Sequence, residues 1–527
     1  MEIGEVMKKK AKTILFVFIV VGVVILNFTY KNKNEETKTK QRKQNNLAIM
    51  IKGDSGEYVS SNEIPKGNYV LNEEKTICEN GGKVVSYNNS TGQIGFSFLG
   101  SDRCSLYFDK IIDTQKPVIK NLNVSGTTVT ATLTDDQGLS GYGFSTSKST
   151  EPTSWTSISG KTYNLNTTIT TEGTYYIWVK DSSNNKVVSG MINIKIYGWN
   201  TILLNSALNE TTPDFSKVAT TNEGLFKADD DYTATTGMKS YYFRGAVDNN
   251  WVKFGKEGTK DIYWRIIRIN GDGSIRMIYS GTTAPTESTK VVMTGTGTRI
   301  TVDNTNTFKF NSSYKNPSYV GYMFTEGQQH GNSTSSTIKT AIDNWYKTTT
   351  LETDATTKEL VSQDQIFCND RSATTSSSGT PGEISGSMST TYYYGAYVRL
   401  VTNKSPQLKC PTASDKFTSR KSSIGNKALT YPVGLITADE VAMAGGVYGS
   451  SNTNSSNYLY TNQYYWSGSP SIFVGAVSYA REFPVGLDGY FYSFRVDNND
   501  GARPVVSLSS KAKLSGNGTY SKPYTVS

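Results

Sequence analysis

The chain has 527 residues, with 54 Lys and Arg against 45 Asp and Glu, and a single histidine, His330. Ten of the cations and four of the acids fall in residues 1–46. The rest is nearly neutral and holds no concentrated basic stripe, which excludes a general nucleic-acid binder. One histidine excludes a histidine-rich zinc site and leaves any Ser-His-Asp or Cys-His unit dependent on His330. That residue sits in the polar segment 326–333 and reads as an exposed bystander. Low charge (19%), 34 Tyr, 47 Gly and recurrent Ser and Thr favour strands and turns over helices, and the length suits three or four domains.

The first predicted element is an uncharged apolar run, Thr13 to Tyr30, preceded by Lys8, Lys9, Lys10 and Lys12. Its length is at the lower limit for crossing a hydrocarbon core about 30 Å thick. A cleaved secretory signal would want small residues at the exit, whereas this exit reads Ile25-Leu26-Asn27-Phe28-Thr29-Tyr30. The expectation is a single-pass anchor at the cell membrane (residues 1–30) followed by a polar stalk (31–46). Lysines flank the run on both sides, so the positive-inside rule does not orient it. The extracellular character of residues 47–527 does.

Residues 47–112 read as a small β module, with short apolar runs such as Lys83-Val-Val-Ser-Tyr and Gln93-Ile-Gly-Phe-Ser-Phe-Leu between Gly and Asn turns. Cys78 and Cys104 fall inside it, and Cys368 and Cys410 fall near the middle of the C-terminal part. No Cys-x-x-Cys spacing marks a metal ribbon or redox motif. One bridge per module is expected in an oxidising compartment, each worth about 3–4 kcal/mol in the chain-entropy model. Four buried free thiols are the alternative.

Residues 113–197 open on Asp113-Thr-Gln-Lys-Pro and alternate plainly in Thr127-Thr-Val-Thr-Ala-Thr-Leu-Thr, where Val129, Ala131 and Leu133 share one face. With Gly173-Thr-Tyr-Tyr-Ile-Trp-Val-Lys-Asp, this segment resembles the immunoglobulin-like β-sandwiches of bacterial surface-protein stalks, without their inter-sheet disulfide. Asp135, Asp136, Asp181, Asn184 and Asn185 lie in its loops, where they read as turn formers rather than calcium ligands. No cofactor is assigned.

Residues 198–239 are expected to be a connector with a short helix around 202–208. The head, 240–527, opens with a hairpin about Asn270-Gly-Asp-Gly, where Asn and Gly would supply positive φ. A helix over Ser336 to Lys347 would bury Ile338, Ile342 and Trp345. Thr437-Ala-Asp-Glu440 is a capping box for a second helix ending at Gly445-Gly446. Between them, the Ser/Thr-rich stretch 373–391 is expected to be a mobile insertion.

Near the end, Tyr465-Trp466-Ser467-Gly468-Ser469-Pro470 and Gly501-Ala502-Arg503-Pro504-Val505-Val506 are similar to the closing strands of bacterial C-type lectin-like domains, a group that includes the formylglycine-generating-enzyme fold. The resemblance implies an α+β head in which Trp466, Ser467, Gly501, Arg503 and Pro504 are structural, with a ligand-facing segment between the two motifs. There Tyr479, Arg481, Phe483, Tyr490, Phe491, Tyr492 and Arg495 form an aromatic and arginine-rich set suited to sugar or protein surfaces. Asp497-Asn498-Asn499-Asp500 reads as a hairpin turn, since the Glu-Pro-Asn element of calcium-dependent sugar binders is missing. Asp439 and Glu440 could suggest hydrolysis but are explained by helix capping. The reading is thus a mainly β, non-enzymatic surface protein binding a glycan or a protein. A wall-associated hydrolase or transferase, or a purely structural envelope protein, are the alternatives.

Overall fold

In the computed structural model the described residues are 46–527, apart from 54, 99, 230–238, 385–386, 421–423 and 450–454. The expected anchor Thr13–Tyr30 and most of the stalk lie outside them. Among the described residues, no helix is long and apolar enough to cross a membrane. The fold is mainly β, with strand (38%) far exceeding helix (12%). The chain divides between Thr114 and Gln115 into two units.

In the first unit, β1 (Asn46–Lys52) pairs antiparallel with β2 (Tyr58–Ser61). It also pairs in parallel with β7 (Arg103–Lys110). β3 (Tyr69–Leu71) and β4 (Ile77–Cys78) both pair with β7. Alternation along β7 sends Cys104, Leu106 and Phe108 into the core. The hairpin of β5 (Lys83–Asn88) and β6 (Gln93–Ser97) adds Val84, Tyr87, Ile94 and Phe96 to it. Cys78 lies opposite Cys104, and the two form a disulfide. Asp102 lies near both sulfurs, but their bond to each other leaves no thiolate for a metal.

The second unit begins with two sheets facing each other across one core. One contains β8 (Val118–Ser125), β9 (Thr128–Thr134) and β12 (Thr162–Thr168) in the order β12-β9-β8. The other runs β11 (Thr156–Ser157), β10 (Leu139–Ser145), β13 (Gly173–Asp181), β14 (Lys186–Val188), and β15 (Ile192–Ile194) also pairs with β13. Val129, Leu133 and Leu165 from the first sheet meet Leu139, Ile177 and Val179 from the second. The loop acids serve the turns. Asp181 accepts from the backbone N–H of Ser183 and of Asn185 (both 2.8 Å) and from the Asn185 amide (2.8 Å). Asp135 accepts from the Gly138 N–H at 2.6 Å.

The expected connector is instead part of the head. Its helix spans Gly198–Leu204, upstream of the expected position, because Asn200 Oδ1 accepts the Tyr197 N–H (2.9 Å) and fixes the start there. β16 (Asn222–Asp229) then pairs along β17 (Lys239–Gly245), so the head's sheet begins well before residue 240. Trp199 wedges between the sandwich and the head. A Cβ at Gly126 would lie 2.6 Å from its ring, and one at Gly273 would lie 2.8 Å from it. Both glycines hold positive φ, 60° and 83°.

The long strand β19 (Lys260–Ile269) pairs with β17, β18 (Trp251–Glu257) and β20 (Ile275–Tyr279). β20 in turn pairs with Val505–Leu508. In the β19–β20 turn only Gly273 takes positive φ, and Asn270 does not. Helix Thr337–Tyr346 is capped by Ser336 and buries Ile338, Ile342 and Trp345. Helix Ala438–Met443 carries the Thr437/Glu440 capping box, and Gly445 follows at φ 106°. The expected mobile insertion is tied down in its described part: Ala373 pairs with Tyr394 and with Gly382. Gln329 Nε2 donates to the carbonyls of Arg371 and Gly382, both at 2.8 Å. Cys368 and Cys410 form the second disulfide.

Candidate functional site

The recognisable motif residues lie in the core. Trp466 is fully buried, donates Nε1–H to the Phe308 carbonyl (2.8 Å) and meets the Phe310 ring edge-on. The Arg503 guanidinium donates to the carbonyls of Tyr279 and Leu459, both at 2.9 Å, and stacks on Tyr465. Ser467 and Gly501 are buried, Trp466 N–H donates to the Gly501 carbonyl (2.9 Å), and the Pro504 carbonyl accepts from Tyr279 N–H (2.9 Å). These contacts tie the last strands to β20 and place the strand Tyr479–Val485 beside Tyr465–Val474.

Three segments far apart in sequence then come side by side. Ala480 N–H donates to the Tyr314 carbonyl (2.8 Å), Val496 N–H to the Ala480 carbonyl (3.1 Å), and Asn311 N–H to the Val496 carbonyl (2.8 Å). Arg481 lies opposite Arg495, and Glu482 opposite Phe494. Because strand side chains alternate, Tyr479, Arg481 and Arg495 share the outer face while Ala480 and Glu482 point inward.

On that outer face the Arg495 guanidinium lies over both Tyr314 (4.6 Å) and Tyr479 (4.4 Å). It is held flat by a two-pronged pair with Asp497, at 2.8 and 2.5 Å. The Arg495 and Asp497 side chains are 33% and 14% exposed, so the group is open to a ligand yet fixed in orientation. Arg481 Nη1 donates to the Ser493 carbonyl (3.1 Å), and its buried Nε has no hydrogen-bond partner among the described residues. Two phenol rings set at 63° to each other with one guanidinium over both, and N–H and carboxylate edges beside them, can offer ring surface to a sugar and directional partners to its substituents.

Not every residue expected here belongs. Phe483 is buried: it shares the alternation of Tyr479 and Arg481, but the rings of Phe491 and Tyr448 fold over it at 5.5 and 6.1 Å. Tyr490 is buried too, because the Gly486 N–H bonds its carbonyl (2.7 Å) in a turn that brings its ring to 4.0 Å from Tyr492. Burial pushes the Tyr490 phenol up to about 12. Tyr492 is half-buried and belongs to a second aromatic group with Tyr464 and Phe494, its hydroxyl donating to Asp488. Sequence reasoning missed Tyr314, which lies about 165 residues from Tyr479 and is brought there only by main-chain pairing. Asp497 sits in the expected turn but also neutralises Arg495, a role its spacing of two from an arginine on a strand could have flagged.

The buried charges elsewhere are committed to structure. Glu440 bridges Arg268 (2.9 Å) and Arg276 (2.6 Å); burial opposes its charge, but the two guanidiniums outweigh that and hold its carboxyl below the usual range. Asp439 and Asp370 pair with Arg399 at 2.9 and 2.6 Å. These groups surround a cavity of about 30 Å³, room for little more than a water molecule. His330 is not the exposed bystander expected. Its side chain is 10% exposed and lies 2.8 Å from buried Asp415 and 3.1 Å from Glu383. Burial opposes protonation, yet Asp415 and Glu383 outweigh it and raise the imidazole pKa.

No protein-family model matches the chain, and no curated protein does. Among solved structures it is similar to the Bacteroides ovatus mixed-linkage glucan utilization locus protein SGBP-B in complex with a mixed-linkage heptasaccharide. The identity is 14%, over 56% of this chain and 74% of that one, with a TM-score of 0.12. At that score the likeness carries no argument about fold or ligand.

Proposed function

We propose that this protein is a non-enzymatic surface receptor whose head binds a glycan on the face formed by Tyr314, Tyr479, Arg495 and Asp497. The single observation behind this reading is the Tyr314–Arg495–Tyr479 stack, open to solvent and locked by Asp497. A pre-ordered face loses little side-chain entropy on binding, which is a cost such a site must keep low. The same proposal assigns a C-type lectin-like fold to the head, an immunoglobulin-like fold to the sandwich at 113–197, and membrane attachment to Thr13–Tyr30. A hydrolase built on Asp439 and Glu440 is disfavoured, since Glu440 already pairs with buried Arg268 and Arg276 and Asp439 with half-buried Arg399. The test is a glycan array probed with the full chain, with turnover of every bound glycan followed in parallel. Binding without product release is expected; product release would replace the receptor reading with an enzymatic one.

A further inference from the structure

Resting on that reading, the charges around the stack narrow the class of glycan. The strand pairing that brings Tyr314 to Tyr479 also places Lys309 opposite Asn499, two residues from Asp497, and Lys315 beside the Tyr314 ring at 5.9 Å. Lys309, Lys315, Arg481 and Arg495 thus surround a face whose own carboxylate is Asp497, already engaged on both oxygens by Arg495. The neighbouring acids do not compensate. Glu482 points inward, where its Oε1 accepts from Gly321 N–H, and Asp500 is 5% exposed beside Arg299.

This excess is local. Beyond residue 46 the whole chain carries 44 Lys and Arg against 41 Asp and Glu, so a face with four cations and one carboxylate is not a sample of general basicity. Donor capacity is also spare. Among the described residues Arg481 makes no ion pair, and of its guanidinium Nη1 uses one carbonyl, while the buried Nε lies out of a ligand's reach. Sugar hydroxyls of a neutral glycan need acceptors as well as donors, and the one carboxylate of this face already gives a lone pair of each oxygen to Arg495. An oxyanion needs only donors, and charge-assisted hydrogen bonds to it are the stronger kind.

We propose that the face takes an anionic polysaccharide, one whose repeat carries a carboxylate or a phosphodiester, with the sugar ring on the Tyr314–Arg495–Tyr479 stack and the oxyanion at Arg481 and the flanking lysines. Several anionic groups along one polymer would engage these cations together and bind in a strongly salt-dependent way.

The experiment measures binding of the full chain to polygalacturonate, to a polysaccharide of hexose 1-phosphate repeats, to a neutral β-glucan and to polyglutamate, at about 50 and about 300 mM NaCl. The first two distinguish carboxylate from phosphodiester, and polyglutamate reports charge attraction without a sugar. The expected result is tight binding to one of the two anionic polysaccharides and at least about tenfold weaker binding to polyglutamate. Arg481→Gln is expected to weaken the former about tenfold, the size of one charge-assisted hydrogen bond, and added salt to weaken it further. Lys315 is exposed, so Lys315→Gln tests the same face without threatening the fold, and a drop of about threefold is expected. Binding of the neutral glucan alone, insensitive to both substitutions, would overturn this inference and leave the glycan-receptor reading standing. Equal binding of polyglutamate, or anionic binding that neither substitution touches, would also overturn it. Binding of none of the polymers would overturn this inference, and the receptor reading would then stand or fall on the glycan array alone.

Discussion

Asp500 gives the sharpest test of how the head is assembled. It lies opposite Phe308, on the pairing that carries the loop bearing Tyr314 to its place, and it is 5% exposed, with Oδ2 unpartnered among the described residues. Burial raises its pKa from 3.8 to about 6, against a smaller opposing effect of Arg299. The folded value exceeds the unfolded one, so the folded state holds the proton more tightly, and stability falls as pH rises between about 4 and 6. A displacement of about two units corresponds to ~3 kcal/mol, fully lost above about pH 6. Asp500→Asn removes the charge, so the variant should be more stable than the parent by about 1–3 kcal/mol at neutral pH, and no more stable near pH 4. Calorimetric melts at several pH values would read this as a difference of up to roughly 5 °C that opens through the window. A difference of the same size at every pH, or a variant less stable at neutral pH, would refute the claim that a buried, unsatisfied carboxyl sits there.

Other expectations separate residues that look alike in sequence. Glu482 and Glu440 are both fully buried, but burial drives the Glu482 pKa well above the carboxylate range whereas two arginines keep Glu440 ionised. Glu482→Gln should therefore change stability by less than about 1 kcal/mol at neutral pH, and Glu440→Gln should cost about 3–5 kcal/mol, both measured by urea denaturation. The bridge Cys368–Cys410 spans 42 positions, so Cys368→Ser with Cys410→Ser should cost the head about 4 kcal/mol in the chain-entropy model, with reducing agent giving a similar loss of head stability only in the parent, since Cys78–Cys104 remains in both. The His330 pKa is raised, so its pairing stabilises the fold below about pH 6.5 and that contribution is lost as pH rises through the folded value. His330→Asn should then be most destabilising in acid and least in alkali. An effect independent of pH would mean that the imidazole is not protonated in its pair.

Much of the fold was legible because its signals are local. Period-two alternation located β9, and serine and threonine caps located two of the head's helices, since a cap bonds only groups within one turn. The two bridges agree with the placement of cysteines in separate modules. The features that stayed hidden depend on distant partners. The segment 198–239 looked like a connector because most of the β16 ladder is made with β17, which begins at the expected boundary of the head. His330 looked exposed because Asp415, its buried partner, is 85 residues away. The candidate site divided in the same way. Tyr479, Arg481 and Arg495 share a face as alternation requires, whereas Phe483 continues that alternation and is covered by a returning loop. Tyr314 carried no signal at all, since nothing local distinguishes it from other loop tyrosines.

The most direct test is titration of the full chain and its Tyr479→Ala variant with the best-binding glycan from the array. Tyr479 is one of the two rings holding Arg495, so its loss removes a stacking surface and frees the guanidinium. The account predicts at least about tenfold weaker binding with the thermal transition of the head within a few degrees of the parent. Unchanged affinity would contradict it.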